Sequence, residues 1–207
     1  MPWPSGCCGP SGTKERVEVS TSIARWLSIL LHPFVMVGAL VGSAAASRQS
    51  TGDALRSVAL VVVFTILPLA VLMARQVRRG AWHNADASNR DERPLLFLVG
   101  GVALVALLAC VVLLQPQSFM VRGVVTTLGM LAVCAVTTRW IKVSLHMVFA
   151  TFAAAALALA RSPAGYILLL ALPPLLWSRL TLNRHTRVEV ALGVLIGALA
   201  GAAIHYL

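Results

Sequence analysis

The chain has 207 residues, of which 58% are hydrophobic and only 12% charged, with a net charge of +10. A soluble domain carries about a quarter charged residues, so this composition excludes one and indicates an integral membrane protein. The basic residues are scattered between apolar runs and not gathered on one face, which argues against nucleic acid and for membrane topology and anionic phospholipid.

The chain opens "MPWPSGCCGPSGTKERVEVSTS", rich in Pro, Gly and Ser, with no apolar core before its cysteines. That is neither a cleavable signal nor a lipoprotein signal. A disordered tail is expected over residues 1–21 and a membrane-embedded helical domain over 22–207, with lipidation of Cys7 and Cys8 the lesser alternative. Cys110 and Cys134 fall inside hydrophobic runs, where a thiol is a small apolar filler and not part of a disulfide framework.

A helix needs roughly 20 apolar residues to cross the hydrocarbon layer, and about 17 at the least. Seven stretches qualify: 23–46, 57–74, 94–114, 120–138, 144–160, 165–182 and 188–206. His32-Pro33 predicts a kink in the first. The fifth is short and the sixth carries Pro173-Pro174, so these two read as a hairpin joined by "ARSPAG", its second arm kinked. The fold class expected is all-α, a polytopic transmembrane helical bundle of six to seven spans.

With seven spans, Arg48, Arg56, Arg122 and Arg161 fall on one side, and the other 13 of the 17 Lys and Arg share the side of the N-terminus. Positive-inside bias makes that side cytoplasmic and the protein one of the inner cell membrane. Three connections on this face carry most of the remaining polar residues: "RQVRRGAWHNADASNRDERP", "RWIKVSLH" and "SRLTLNRHTRVE". Together they read as one anion site assembled from distant parts of the chain.

In the last connection His185 and Glu189 are four apart and share a helix face, so the carboxylate can hold one ring nitrogen and leave the other as a lone pair, nucleophile or base. Arg179, at the end of the preceding span, can clamp a phosphate through two parallel hydrogen bonds. In the second connection Lys142, Ser144 and His146 stand at a helix N-terminus, suited to an oxyanion and its leaving group. Arg90, Arg93 and Pro94 precede the third span. Each group also has a plain structural reading: cations snorkelling to headgroups, Ser144 as a helix cap, a positive-inside cluster before a helix-starting proline. Gly193, Gly197 and Gly201, at intervals of four, predict a small-residue face for close helix packing.

The three segments resemble the type 2 phosphatidic acid phosphatase (PAP2) superfamily of membrane lipid phosphatases. Ser178, Arg179, His185, Glu189, Val190, Gly193 and Gly197 match its third motif in spacing, Ser144 and His146 its second, and Arg93 and Pro94 its first. Three positions depart from it. Asp86 stands where the first-motif lysine would be, leaving Arg90 or Lys142 as the replacement cation; Val143 and Leu145 replace the Pro and Gly of the second motif; Glu189 replaces an aspartate. The resemblance implies that His185 attacks phosphorus, Glu189 stabilises its imidazolium, and His146 protonates the departing lipid oxygen. It implies that Arg93, Arg179, Ser144 and Lys142 hold the phosphoryl oxygens, with no cofactor or metal.

A metal held by His146, His185, Glu189 and Asp86 is opposed by the surrounding arginines. Two rivals stand beside the phosphatase: an intramembrane prenyltransferase using Asp86 and Asp91, which lacks a second aspartate-rich motif, and a non-catalytic, phosphatase-like transporter or scaffold. The substrate expected is a lipid phosphate or diphosphate, polyprenyl type favoured, with phosphatidate and phosphatidylglycerol phosphate open.

Overall fold

The computed structural model describes residues 11–82, 84, 89–114 and 118–206, and among these no strand occurs. Helix α1 (Ser11–Leu30) breaks at Leu31-His32 into α2 (Pro33–Ala46), the two inclined by 42°. The break follows from the sequence: Pro33 suits the first position of a helix, where its missing N–H is not needed, and His32 caps α2 by accepting from Phe34 N–H on Nδ1. Of the residues assigned above to a tail, 11–21 are helical, and 1–10, Cys7 and Cys8 among them, lie outside the described residues. Lys14, Glu15, Arg16 and Glu18 within 11–21 favour helix.

α3 (Thr51–Val61) passes through a π-turn, Val62–Ile66, into α4 (Leu67–Arg78). A short 3₁₀ turn at Arg90–Glu92 opens α5 (Arg93–Leu114), and α6 (Ser118–Thr137) returns antiparallel to it. α7 (Leu145–Leu159), α8 (Pro163–Thr181) and α9 (Arg187–Ala203) complete the bundle.

Four of these helical segments are long and apolar enough to cross a membrane: Thr51–Arg78, Arg90–Leu114, Phe119–Thr137 and Pro163–Thr181. The bent α1–α2 pair makes a fifth if it counts as one span. Their outer faces carry large apolar side chains with nothing of the protein over them, such as Leu98, Val102, Val105 and Leu170, as a lipid-facing surface requires. Length supports four or five spans where the apolar runs predicted six to seven. α7, at 15 residues, measures only about 22 Å. It is buried on nearly every side, packed by α2, α8 and α9. A helix surrounded by protein does not have to match the lipid thickness. The expected hairpin is present: α7 and α8 are joined by three residues, among them Arg161 at φ 55°. Pro173 and Pro174 lie inside α8, which runs on unbroken.

The small-residue face of α9 seats against α7. A Cβ on Gly193 would stand 2.9 Å from the Ser144 carbonyl, one on Gly201 2.6 Å from Ala155 Cβ, and one on Gly197 would collide with the Val148 carbonyl. Only glycine permits this approach, and it fixes the mouth of α9 beside the mouth of α7. Cys134 is buried filler as expected; Cys110 is half-buried.

Candidate active site

The end of α8 turns sharply because Asn183 adopts a left-handed backbone, φ 50°. Arg184 N–H then reaches the Arg179 carbonyl (3.3 Å) and Asn183 N–H the Leu180 carbonyl (3.0 Å), the paired bonds of a Schellman ending. Two residues later Thr186 caps α9: its hydroxyl accepts from Glu189 N–H at 3.3 Å, and Glu189 Oε2 accepts from Thr186 N–H at 3.2 Å. The same carboxylate oxygen lies 2.8 Å from His185 Nδ1. A carboxylate only accepts, so Nδ1 carries the proton and Nε2 the lone pair.

His185 is nearly enclosed, its side chain 4% exposed. Burial, and then the charges of Arg179, Arg93, Lys142 and His146, hold its pKa well below the ordinary imidazole range, so the ring is neutral near pH 7. The charges come from the α5 start, the α6–α7 loop, the first turn of α7 and the α8 end.

Ser144 occupies the N-cap position of α7, yet its hydroxyl caps nothing and has no partner. Its backbone N–H donates to the Glu189 carbonyl at 3.2 Å, tying the two helix mouths together. His146 follows in the first turn of α7, buried, with Nε2 unpartnered and the Ser28 backbone hydrogen-bonding its ring. Lys142 Nζ donates to the Arg184 carbonyl at 3.1 Å. Burial lowers its pKa most; Arg93, Arg179 and Arg184 lower it further, against an opposing pull from Glu189. Arg93 Nη1 donates to the Val143 carbonyl at 2.6 Å, while its Nε is buried and unpartnered.

Arg90 is not drawn into this cluster. It is exposed, and its Nε donates to the Thr138 carbonyl (2.7 Å), closing the end of α6. Asp86 lies outside the described residues. Asp91 is exposed. Among the described residues no three His, Cys, Asp or Glu side chains gather as a metal-binding group.

Ser28, on α1, is a site residue the motifs did not reveal. Arg179 Nη1 donates to Ser28 Oγ (3.1 Å), Ser28 and Ser178 hydroxyls lie 2.7 Å apart, and Ser178 donates to the Ala24 carbonyl (2.6 Å). Each hydroxyl has one hydrogen, so the bonds run in one direction, Arg179 to Ser28 to Ser178 to Ala24. This relay aims a guanidinium that is 1% exposed. The available signal was composition: Ser28 and His32 are the polar residues of the otherwise apolar run from Trp26 to Met36. The His32 ring in turn meets the His146 ring edge-on, centroids 5.2 Å apart. From the first connection, Asn84 accepts from Arg184 Nη2 at 3.2 Å.

Behind His146 opens an apolar cavity of about 400 Å³, walled by α2, the α3–α4 segment, α5, α6 and α7.

Family models, curated proteins and solved structures give no match to this chain.

Proposed function

We propose that this protein is a membrane lipid phosphatase of PAP2 type, releasing phosphate from a lipid phosphate or diphosphate, polyprenyl type favoured, through a phosphohistidine. The observation that carries the reading is His185 held by Glu189 through Nδ1 at 2.8 Å and nearly enclosed, with the charges of Arg179, Arg93 and Lys142 favouring its neutral form. An imidazole kept unprotonated among cations attracts a phosphate dianion and retains its nucleophilic lone pair.

His185 Nε2 attacks phosphorus as the bond from phosphorus to the lipid oxygen breaks, and protonated His146 passes its Nε2 proton to that oxygen. Glu189 balances the imidazolium formed at His185. Neutral His146 then takes a proton from water, hydroxide displaces His185 from phosphorus, and phosphate leaves. Arg93, Arg179, Ser144 and Lys142 hold the phosphoryl oxygens. Arg90 belongs to the fold's support more than to the phosphate.

The reading includes topology: with α1–α2 as one span and α7 and α9 crossing, seven passes leave the site on the cytoplasmic face, supported by the 13 against 4 division of Lys and Arg. Phosphate release from a panel of lipid phosphates, with and without chelator, tests the activity. Release that persists in chelator and disappears in His185→Ala supports it; strict magnesium dependence favours the prenyltransferase rival.

A further inference from the structure

In an unbroken helix the Ser28 carbonyl would accept from the N–H of His32, four residues on. Here Pro33 has no N–H to offer the Ile29 carbonyl, and the His32 N–H goes there instead, at 3.2 Å. The Ser28 carbonyl is left for another donor. It accepts from the ring of His146, on α7. His146 Nε2 has no partner among the described residues, which leaves Nδ1 for this bond. The break between α1 and α2 therefore supplies a backbone acceptor to an imidazole of the candidate site.

It supplies a second contact to the same imidazole. His32 Nδ1 accepts from Phe34 N–H at 3.3 Å as the cap of α2, and its ring stands edge-on to that of Phe34, centroids 4.6 Å apart. Cap and neighbour together orient the His32 ring. That ring meets His146 at 88°, centroids 5.2 Å apart, an edge-to-face contact. α1 packs against α8 and α2 against α7. The break thus sits between the helix that carries Arg179 and the helix that carries His146.

We propose that His32 is a positioning residue for His146: its ring, with the Ser28 carbonyl, holds the imidazole so that Nε2 is the one nitrogen left to give a proton to the leaving oxygen. This rests on the phosphatase reading. In that step the bond from His185 Nε2 to phosphorus forms, the bond from phosphorus to the lipid oxygen breaks, and the proton on His146 Nε2 goes to that oxygen. His32 itself gives and takes no proton. A positioned general acid contributes about 10²- to 10⁴-fold, and it does so where the leaving group needs a proton. An alkoxide is a strong base and leaves with one; a nitrophenolate is a weak base and leaves without. Loss of the His32 ring should therefore slow one class of ester and spare the other.

The experiment uses the full chain in nanodiscs of zwitterionic lipid, in excess over substrate, so that a single turnover reports the first step alone. Release of alcohol from an alkyl phosphate and of nitrophenolate from a nitrophenyl phosphate is followed for the parent, His32→Asn and His32→Phe. Asn keeps a side-chain oxygen to cap α2 and loses the ring; Phe keeps a ring and loses the cap. His32→Asn should slow the alkyl ester by about tenfold or more and the nitrophenyl ester by less than about threefold. His32→Phe should recover much of the alkyl rate at a lower melting temperature. Equal losses on both esters in His32→Asn, or no loss on either, overturn the proposal. Nitrogen NMR of the histidine-labelled parent, with His146 assigned by its disappearance in His146→Gln, tests the arrangement even if neither His32 variant folds. Neutral His146 should carry its proton on Nδ1, and a proton on Nε2 overturns the proposal. A parent that shows the Nδ1 tautomer and releases neither leaving group rejects the phosphatase reading and with it any part for His32 in a reaction. A parent that releases both, with equal losses in His32→Asn, rejects the role of His32 alone.

Discussion

Glu189 Oε2 accepts from both His185 Nδ1 (2.8 Å) and Thr186 N–H (3.2 Å), so one oxygen caps α9 and orients the candidate nucleophile. Helix formation and site formation are the same event here. Glu189→Gln keeps a side-chain oxygen for the cap and removes the charge that fixes the His185 tautomer. Turnover is expected to fall about 10³- to 10⁴-fold with a small change in thermal stability. Steady-state rates beside a melting curve check this, and a rate within tenfold of the parent would count against the pairing.

Ser28→Ala cuts the relay that aims Arg179. A hydrogen bond to a charged group contributes about 1.5–3 kcal/mol, so kcat/KM should drop roughly tenfold to a hundredfold. The loss should appear chiefly in KM and in inhibition by inorganic phosphate, because Arg179 holds the phosphoryl group without donating protons. Ser28→Thr retains a hydroxyl and should recover much of the loss.

The pH dependence follows from His185 and Lys142. A folded pKa below the unfolded value of about 6.5 means that the unfolded chain binds more protons below that pH, so the stability His185 contributes is present above it and is lost as pH falls. Melting temperature should decline from pH 7 to pH 5, and less so in His185→Phe. The nucleophile itself stays unprotonated across that range, so activity should not show an acid limb near 6.5 attributable to His185. On the alkaline side Lys142 loses its proton below the usual lysine range, and KM should rise there. Lys142→Arg should push that rise to higher pH.

The α7–α9 contact separates stability from activity. Gly197→Leu forces a side chain against the Val148 carbonyl and Phe152 N, and should destabilise the bundle by about 1–3 kcal/mol or more. Gly193→Ala places a methyl at the Ser144 carbonyl and Met147 Cβ. It should depress turnover more than it lowers the melting temperature, because Ser144 and His146 shift with the α7 mouth.

Much of this arrangement is legible where it depends on spacing along one helix. His185 and Glu189 four apart bond as their spacing requires, and Gly193, Gly197 and Gly201 face α7 as theirs requires. His32-Pro33 breaks the first apolar run as a proline after a capping residue should. Individual contacts between helices were not legible. Ser28 meets Ser178 across 150 residues, and nothing in either local sequence names the partner. The number of spans was not legible for a physical reason: a helix enclosed largely by protein, such as α7, and one facing lipid have the same apolar composition. For the same reason the cavity is invisible in the sequence, since Leu104 in its wall and Leu98 facing outward read alike.

The central claim is that phosphate passes through His185. The most direct measurement is acid quenching of the purified protein seconds after mixing with a lipid phosphate labelled in its phosphoryl group, followed by denaturing separation and peptide mapping. A phosphoryl group bound to His185, labile to acid and stable to alkali, turning over on a chase with unlabelled substrate and absent from His185→Ala, is the predicted result. Undiminished phosphate release by His185→Ala, or label found on another residue while His185 stays unmodified, would contradict it.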